Sequence, residues 1–255
     1  MSEKPVILII SGIDPTNGAG LGRDIITVRD NGGFPVSAPS TLTVQNSMNF
    51  EYYQEVDIKY LRDCLESLEK EFSFSAVKTG LLPLNGQWIR ELSEILQKFT
   101  IPVVIDTVFK ASSSQSDMTI IPDSYTDLIR GANKIITPNL KELELIHLKL
   151  TGKKETQKKM AKYVSDKLSC SVVTTFEGRL PVISITTNGS SIGVPITLYE
   201  PDRKFHGTGC TFSSALATNL AKGENLTDSV KNAADHTLEK VKKAVLFNQS
   251  GQYYL

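Results

Sequence analysis

Three short segments gather residue types that handle anions and protons. The most telling is His206-Gly207-Thr208-Gly209-Cys210-Thr211, which runs into the small-residue stretch FSSALATNLAKG. Glycine has no Cβ, so the backbone there can press close to a ligand. The first amides of the helix that follows lack internal acceptors, and the helix dipole adds partial positive charge at that end. The amides of Gly207, Thr208, Gly209 and Cys210 therefore suit a phosphate, or the charge that develops on one in transit. Cys210 falls in the first turn, where a thiol pKa tends to drop, and could accept a proton from a substrate hydroxyl. The competing reading is a glycine-rich helix start with a buried structural cysteine.

The second segment, Gly12-Ile13-Asp14-Pro15-Thr16-Asn17-Gly18-Ala19-Gly20, follows the first apolar run. A strand leading through a glycine-rich loop into a helix is a usual ligand position in an open parallel sheet. It is not a Walker loop, since no Gly-Lys-Ser/Thr follows, and its glycine spacing is not the dinucleotide fingerprint. Asp24 falls one turn into the next helix and could hydrogen-bond a polar substrate; a tight turn with an exposed Asp fits equally well. In the third segment, Thr137-Pro138-Asn139-Leu140-Lys141-Glu142, Asn139 and Glu142 share one face of a helix start. Magnesium takes oxygen ligands, often through water, and this pair could help hold it with phosphates. Plain capping explains the same pair, Asn139 as N-cap and Glu142 as its reciprocal partner. Asp106 ends the run Val103–Ile105, at the carboxyl edge of a parallel strand or simply as its cap. Gln45 could read a heterocycle by donating and accepting together, although a lone Gln is more often structural.

The elements that must position these residues are short apolar runs at regular intervals: Val6–Ile10, Ala76–Lys78, Val103–Ile105, Lys134–Thr137 and Val172–Thr175. Each is apolar on successive residues instead of alternating, which suits strands covered on both faces. Between them, Ile58–Phe72 places Leu61, Cys64, Leu65, Leu68 and Phe72 on one helical face, and Gln87–Phe99 does the same with Ile89, Leu92, Ile95, Leu96 and Phe99. Lys158–Leu168 and Ser229–Val245 are further amphipathic helices. This alternation predicts a three-layer α/β/α sandwich with a mainly parallel central sheet. Phe34–Tyr53 reads as a strand followed by a flap, and Asn188-Gly189 between VISITT and SIGVPITLY signals a hairpin that turns the far edge antiparallel. Ala111–Asp117 is small and polar, a loop.

Composition narrows the function class. The 255 residues are 40% hydrophobic and 22% charged, an ordinary globular balance, so one domain spanning 1–255 is expected. Lys plus Arg and Asp plus Glu are 28 each, so no net charge draws the chain to nucleic acid or an anionic membrane. No apolar run is long enough for a secretory signal or a membrane span, and three widely spaced cysteines form no disulfide framework. A soluble, cytoplasmic protein is expected.

SGIDPTNGAG, Gln45-Asn46, KTGLL at Lys78–Leu82, TPNLKELELI and HGTGCTFSSALA occur in the order of one family. Together they resemble the hydroxymethylpyrimidine and phosphomethylpyrimidine kinases of thiamine biosynthesis, in the ribokinase superfamily, from about residue 5 to about residue 245. Most ribokinase-like proteins carry Asp after the glycines; this branch and some pyridoxal kinases carry Cys. The resemblance implies a ribokinase-like fold, magnesium, ATP as phosphoryl donor, and commonly a homodimer. The acceptors would be 4-amino-5-hydroxymethyl-2-methylpyrimidine and then its monophosphate. It also implies that Gln45 binds the aminopyrimidine, with Gly12 and Asp24 as neighbours and Leu81 and Val108 as apolar walls. Cys210 would be the base and Gly207, Thr208 and Gly209 would complete the anion hole. Asn139, Glu142 and Thr175 would lie on the nucleotide side, with Asp106 and Glu142 toward the metal. The chain departs from the family pattern at Asp106-Thr107-Val108-Phe109, at Lys110-Ala111-Ser112, and at Phe176-Glu177-Gly178, where an acidic residue facing phosphate would repel it. A pyridoxal or pyridoxine kinase, and a non-catalytic ligand-binding relative, therefore stand as alternatives.

Overall fold

The computed structural model describes residues 4–46, 49–109, 121–175, 182–197, 203–246 and 251–255. In chain order the elements are β1 Val6–Ile13, α1 Gly20–Asp30, β2 Phe34–Gln45, β3 Phe50–Glu55, α2 Ile58–Glu69, β4 Ala76–Thr79 and α3 Gly86–Leu96. Next come β5 Val103–Ile105, α4 Ser124–Leu128, β6 Lys134–Ile136, α5 Leu140–Thr151, α6 Gln157–Leu168 and β7 Ser171–Thr175. The remainder is β8 Val182–Thr187, β9 Ser190–Pro195, β10 Lys204–His206, α7 Thr208–Ala221, α8 Leu226–Lys242, β11 Val245–Leu246 and β12 Gln252–Tyr254.

The main sheet has the order β3-β2-β1-β4-β5-β6-β7-β8-β9. Strands β2 through β7 in that order run parallel, while β3, β8 and β9 are antiparallel to their neighbours. The reason lies in β1: Ile7, Leu8, Ile9 and Ile10 are all fully buried, so both faces of this strand need cover. Leu8 and Ile10 pack with Leu61, Leu92 and Val164 from α2, α3 and α6. Ile7 and Ile9 pack with Leu21 and Val28 of α1. Farther along that second face, Val104 and Ile135 meet Leu216 of α7 and Val230 of α8. The result is the expected three-layer sandwich. Each large side chain so buried contributes about 1.5–3 kcal/mol of transfer free energy.

Two helices end earlier than their apolar periodicity. Phe72 and Phe99 lie beyond α2 and α3, yet they keep the apolar pattern because they pack from turns. The Phe72 amide returns to the Leu68 carbonyl at 2.8 Å, and its ring stacks on Phe34 at 5.6 Å. Phe99 stands edge-on to Phe74 at 6.0 Å. At the other end of the chain, α8 begins before Ser229 because Asn225 caps it, accepting from the Asp228 amide at 2.9 Å; Val245 opens β11 instead of ending the helix. The Asn188-Gly189 hairpin forms with φ of 49° and 70° at the two turn residues, the left-handed pair that a two-residue turn between twisted strands requires. The Ala111–Asp117 segment lies outside the described residues.

Sheet order reverses at β1: β2 lies on one side and β4 on the other. The carboxyl ends of β1 and β4 therefore border the crevice where open α/β sheets bind ligands. A second sheet, β10-β12-β11, closes the same end, with β12 parallel to β10 and His206 opposite Tyr254.

Candidate active site

The last turn of β1 is built for close approach. Its register with β2 shifts between Ser11 and Ile13, and Gly12 lies inside the strand, not in the loop expected from sequence. A Cβ on Gly12 would stand 2.4 Å from Thr41 Oγ1 and 3.3 Å from Leu81 Cβ, so only glycine lets these three meet. The following loop wraps around Asp14, which accepts from the Thr16 amide at 2.9 Å, the Thr16 hydroxyl and the Ala19 amide at 3.0 Å. Asp14 also pairs with His206 Nε2 at 2.9 Å. Burial would raise this carboxyl, but the His206 and Thr16 hydrogen bonds hold it below its ordinary value.

That pair fastens the first glycine-rich loop to the second. Gly207 has φ 89°, and a Cβ there would fall 1.9 Å from the Gly18 carbonyl oxygen. Past this turn α7 begins at Thr208, and Cys210 lies in its first turn, half-buried. The Gly20 amide donates to the Cys210 sulfur. Beneath it sits Lys78, whose side chain is wholly buried and whose Nζ is 2.7 Å from each carboxylate oxygen of Asp24. The same ammonium is 3.9 Å from Asp106 Oδ2. Ser214 donates to Asp24 at 2.8 Å and Ser213 to Asp106 at 3.1 Å, so two successive α7 residues hold two acids.

Electrostatics here correct one expectation. The helix start was expected to lower the Cys210 thiol pKa. Burial pushes it up instead; Lys78 opposes the rise, while Asp24 and Asp106 add to it. Burial likewise raises the Asp106 carboxyl against the pull of Lys78. Lys78 keeps its proton firmly, because Asp24, Cys210 and Asp106 outweigh the burial that would strip it.

Asn139 and Glu142 form a complete capping box on α5: the Glu142 amide donates to Asn139 Oδ1 at 3.0 Å, and the Asn139 amide to Glu142 Oε2 at 2.9 Å. Thr107 also donates to Glu142 Oε2, at 3.0 Å, which draws α5 to the end of β5. Burial first, and Asp106 second, push the Glu142 carboxyl up to about 7. Two acids crowded in this way suit a divalent cation. Among the described residues no cluster of three or more His, Cys, Asp or Glu could hold a metal unaided. Magnesium typically binds through one or two carboxylates plus waters and substrate phosphates, so Asp106 and Glu142 fit it.

The other expected residues take these places. Asp24 is fully buried with both oxygens on Lys78, so it lies beneath the site and is not an exposed turn residue. Leu81 and Val108 are half-buried, Leu81 beside Gly12 and Val108 two residues past Asp106. Gln45 ends β2, half-buried, on the strand that pairs with β1. Thr175 ends β7, and Lys110–Ser112 and Phe176–Gly178 lie outside the described residues. Lys78 was visible in the sequence only as part of KTGLL. A lysine inside an otherwise wholly buried strand is the signal that marks it, because such a charge requires a buried partner. His206 was likewise read only as part of its motif; its partner Asp14 is 192 residues away.

With this geometry in place, the chain can be set beside known proteins. It is 27% identical over 246 residues to the hydroxymethylpyrimidine/phosphomethylpyrimidine kinase of Bacillus subtilis (strain 168), covering 93% of this chain and 89% of that one. It is 28% identical over 257 residues to the probable chloroplastic thiamine biosynthetic bifunctional enzyme of Oryza sativa subsp. japonica; the match covers 96% of this chain and 46% of the rice protein, less than half its length. Among solved structures, the Staphylococcus aureus pyridoxal kinase in complex with AMP-PCP and pyridoxal superposes with a TM-score of 0.82 at 19% identity, covering 100% of this chain and 93% of that one. The phosphomethylpyrimidine kinase of Clostridium difficile 630 gives 0.72 at 23%, covering 94% and 100%. At such identities the structural likeness speaks for the fold, which is ribokinase-like. The phosphomethylpyrimidine kinase profile matches residues 14–253, nearly the whole chain, and the protein belongs to that family of kinases.

Proposed function

We propose that this kinase transfers the γ-phosphoryl group of ATP to the hydroxymethyl group of 4-amino-5-hydroxymethyl-2-methylpyrimidine, and then to the resulting monophosphate. The observation that carries this reading is the α7 start: free amides and Cys210 stand over the buried Asp24–Lys78–Asp106 cluster at the reversal point of the sheet. The amides of Gly207 to Cys210 stabilise charge on the phosphoryl group in flight. Cys210 orients the hydroxyl and takes its proton when it is the thiolate, the minor form that burial and the two acids oppose and that Lys78 favours, so turnover of the alcohol should rise with pH. Gln45 and the walls Gly12, Leu81 and Val108 receive the ring. Asp106 and Glu142 would hold magnesium, which would supply neutralising charge to the phosphates, with Asn139 and Thr175 toward the nucleotide. Such catalysis is mostly positioning and electrostatics.

The test is incubation of the purified protein with Mg-ATP and the hydroxymethylpyrimidine, following products by mass spectrometry. Monophosphate followed by diphosphate is the expected course. Turnover of pyridoxal in place of the pyrimidine would reassign the acceptor, and pyrimidine binding without turnover would make this a binding protein. A homodimer working in the cytoplasm completes the proposal. It is supported by an outward apolar face made by Ile13, Leu42, Val44 and Tyr52 at the β2–β3 edge, and by three free cysteines.

A further inference from the structure

His206 has no place in the mechanism above, yet it stands one residue before the anion-binding turn. It ends β10, is 6% exposed, and leads directly into Gly207 and the α7 start. The two glycine-rich loops meet there along a seam of three contacts. Asp14 Oδ2 is 2.9 Å from His206 Nε2. The Gly18 carbonyl lies so close to Gly207 that no side chain fits between them. The Gly20 amide donates to the Cys210 sulfur. Asp14, Gly18 and Gly20 thus run alongside His206, Gly207 and Cys210. Of the three contacts, only the first joins two side chains.

The direction of that bond is fixed. Asp14 accepts from the Thr16 amide and hydroxyl and from the Ala19 amide, and a carboxylate has no hydrogen to give. His206 Nε2 therefore donates. Nδ1 is buried and has no hydrogen-bond partner among the described residues. A half-satisfied imidazole costs free energy in an interior where an apolar ring of similar shape would not. The bond to Asp14 is what the imidazole supplies and such a ring would lack. Packing holds the ring in place for it. A Cβ on Gly18 would stand 2.4 Å from His206 Cδ2 and 2.6 Å from Tyr254 Cδ1, so both rings lie against the Gly18 backbone. Tyr254 meets His206 edge-on at 5.4 Å from the paired strand β12, which Arg23 of α1 ties down by donating to the Leu255 backbone oxygen.

We propose that His206 is a positioning residue for phosphoryl transfer: its bond to Asp14 sets the Gly207 turn, and with it the direction of the first α7 amides. This rests on the kinase reading above. The Gly207 carbonyl accepts the Thr211 amide at 2.9 Å, so Gly207 and the first turn of α7 move as one piece. Releasing His206 from Asp14 lets that piece turn and swings the amides off the phosphoryl oxygens. The residues that receive the ring and the nucleotide stand on other elements and stay where they are. Donors aimed at developing charge act on the transition state, so the loss falls on kcat and not on KM.

The experiment is steady-state kinetics with Mg-ATP and the hydroxymethylpyrimidine on the full chain and its variants, each first shown to be folded by its unfolding curve. His206→Phe keeps a ring against Gly18 and loses the bond; kcat should fall about 10²-fold, with KM for both substrates within about threefold of the parent. His206→Gln can reach Asp14 with its side-chain amide and should recover most of that loss. Asp14→Asn weakens the same bond from the other side, should also lower kcat, and serves if the Phe variant does not fold. Combined with His206→Phe, it should cost little more than the larger single loss, because one bond is removed in both. Folded variants with the parent's kcat and only weaker stability would make His206 structural and overturn the proposal. Equal losses in the Phe and Gln variants also overturn it, because the ring and not the bond would then matter. With a parent that phosphorylates only pyridoxal, the same comparisons are made on that acceptor and decide in the same way. A parent inert toward both acceptors overturns the kinase reading, and the proposal with it.

Discussion

Lys78 is the residue on which the site's charge balance turns. One buried ammonium faces two buried carboxylates and a half-buried thiol. Replacing Lys78 with Met would leave Asp24 and Asp106 without their counter-charge, and the expected loss of stability is about 3–5 kcal/mol, read from urea unfolding. Adding Asp24→Asn to Lys78→Met should recover a good part of that loss, because the uncompensated charge goes with it. A fully additive double mutant would show that the two residues do not act as a pair. Sequence made Cys210, Asp106 and Glu142 visible, since each sits at a strand end or helix start whose chemistry can be named in one dimension. It left an exposed Asp24 as good a reading as a substrate-binding one, because whether an acid on an amphipathic helix points outward or down depends on a lysine 54 residues away. The direction of the Cys210 shift was hidden for the same reason: the helix-start effect is local, but burial and the two acids that outweigh it belong to the fold.

Elements were more legible than contacts. The strand runs placed β5 without error and the others within a few residues, because doubly covered strands advertise themselves by unbroken Val and Ile. Helix ends were overextended where aromatic residues keep the apolar phase from a turn, as Phe72 and Phe99 do. A second lysine shows what an element's end can demand. Lys134 begins β6 almost wholly buried, and its Nζ donates to the Leu96 carbonyl at 2.9 Å, at the last turn of α3. Burial lowers its pKa to about 8 from an ordinary 10.5. The unfolded chain therefore holds this proton more tightly than the folded one between those values, and the fold gains stability as pH rises from about 8 toward 10.5. Relative to Lys134→Met, the native protein should gain up to about 3 kcal/mol across that window, measured by unfolding at a series of pH values. Parallel curves for the two proteins would mean that the ammonium is better hydrated than its burial indicates.

At the scale of the whole molecule, the sheet leaves one side unbalanced. Strand β3 is an edge with only β2 beside it, and Leu42, Val44 and Tyr52 point the same way from the pair, with Ile13 opposite Leu42. These side chains are 37% to 60% exposed, more than a solitary chain usually leaves contiguous. If this face joins two copies, Leu42→Lys should convert the dimer to monomer in sedimentation at micromolar concentration. A parent protein that sediments as a monomer would remove the dimer from the proposal.

The bonds that fasten the β10–α7 segment to the rest of the site are distant in sequence. Asp14 meets His206 across 192 positions, Asp24 meets Ser214 across 190, and Asp106 meets Ser213 across 107. Contacts of such long range require most of the chain to be ordered before they return any free energy. In refolding, helical signal and much of the compaction should therefore precede catalytic competence, and the loop fastenings should act on the rate of unfolding more than on the rate of folding. A chain halted partway can bury Ile7 to Ile10 and resemble the finished protein, yet it lacks the α7 helix start and Cys210 until the last part of the chain is in place.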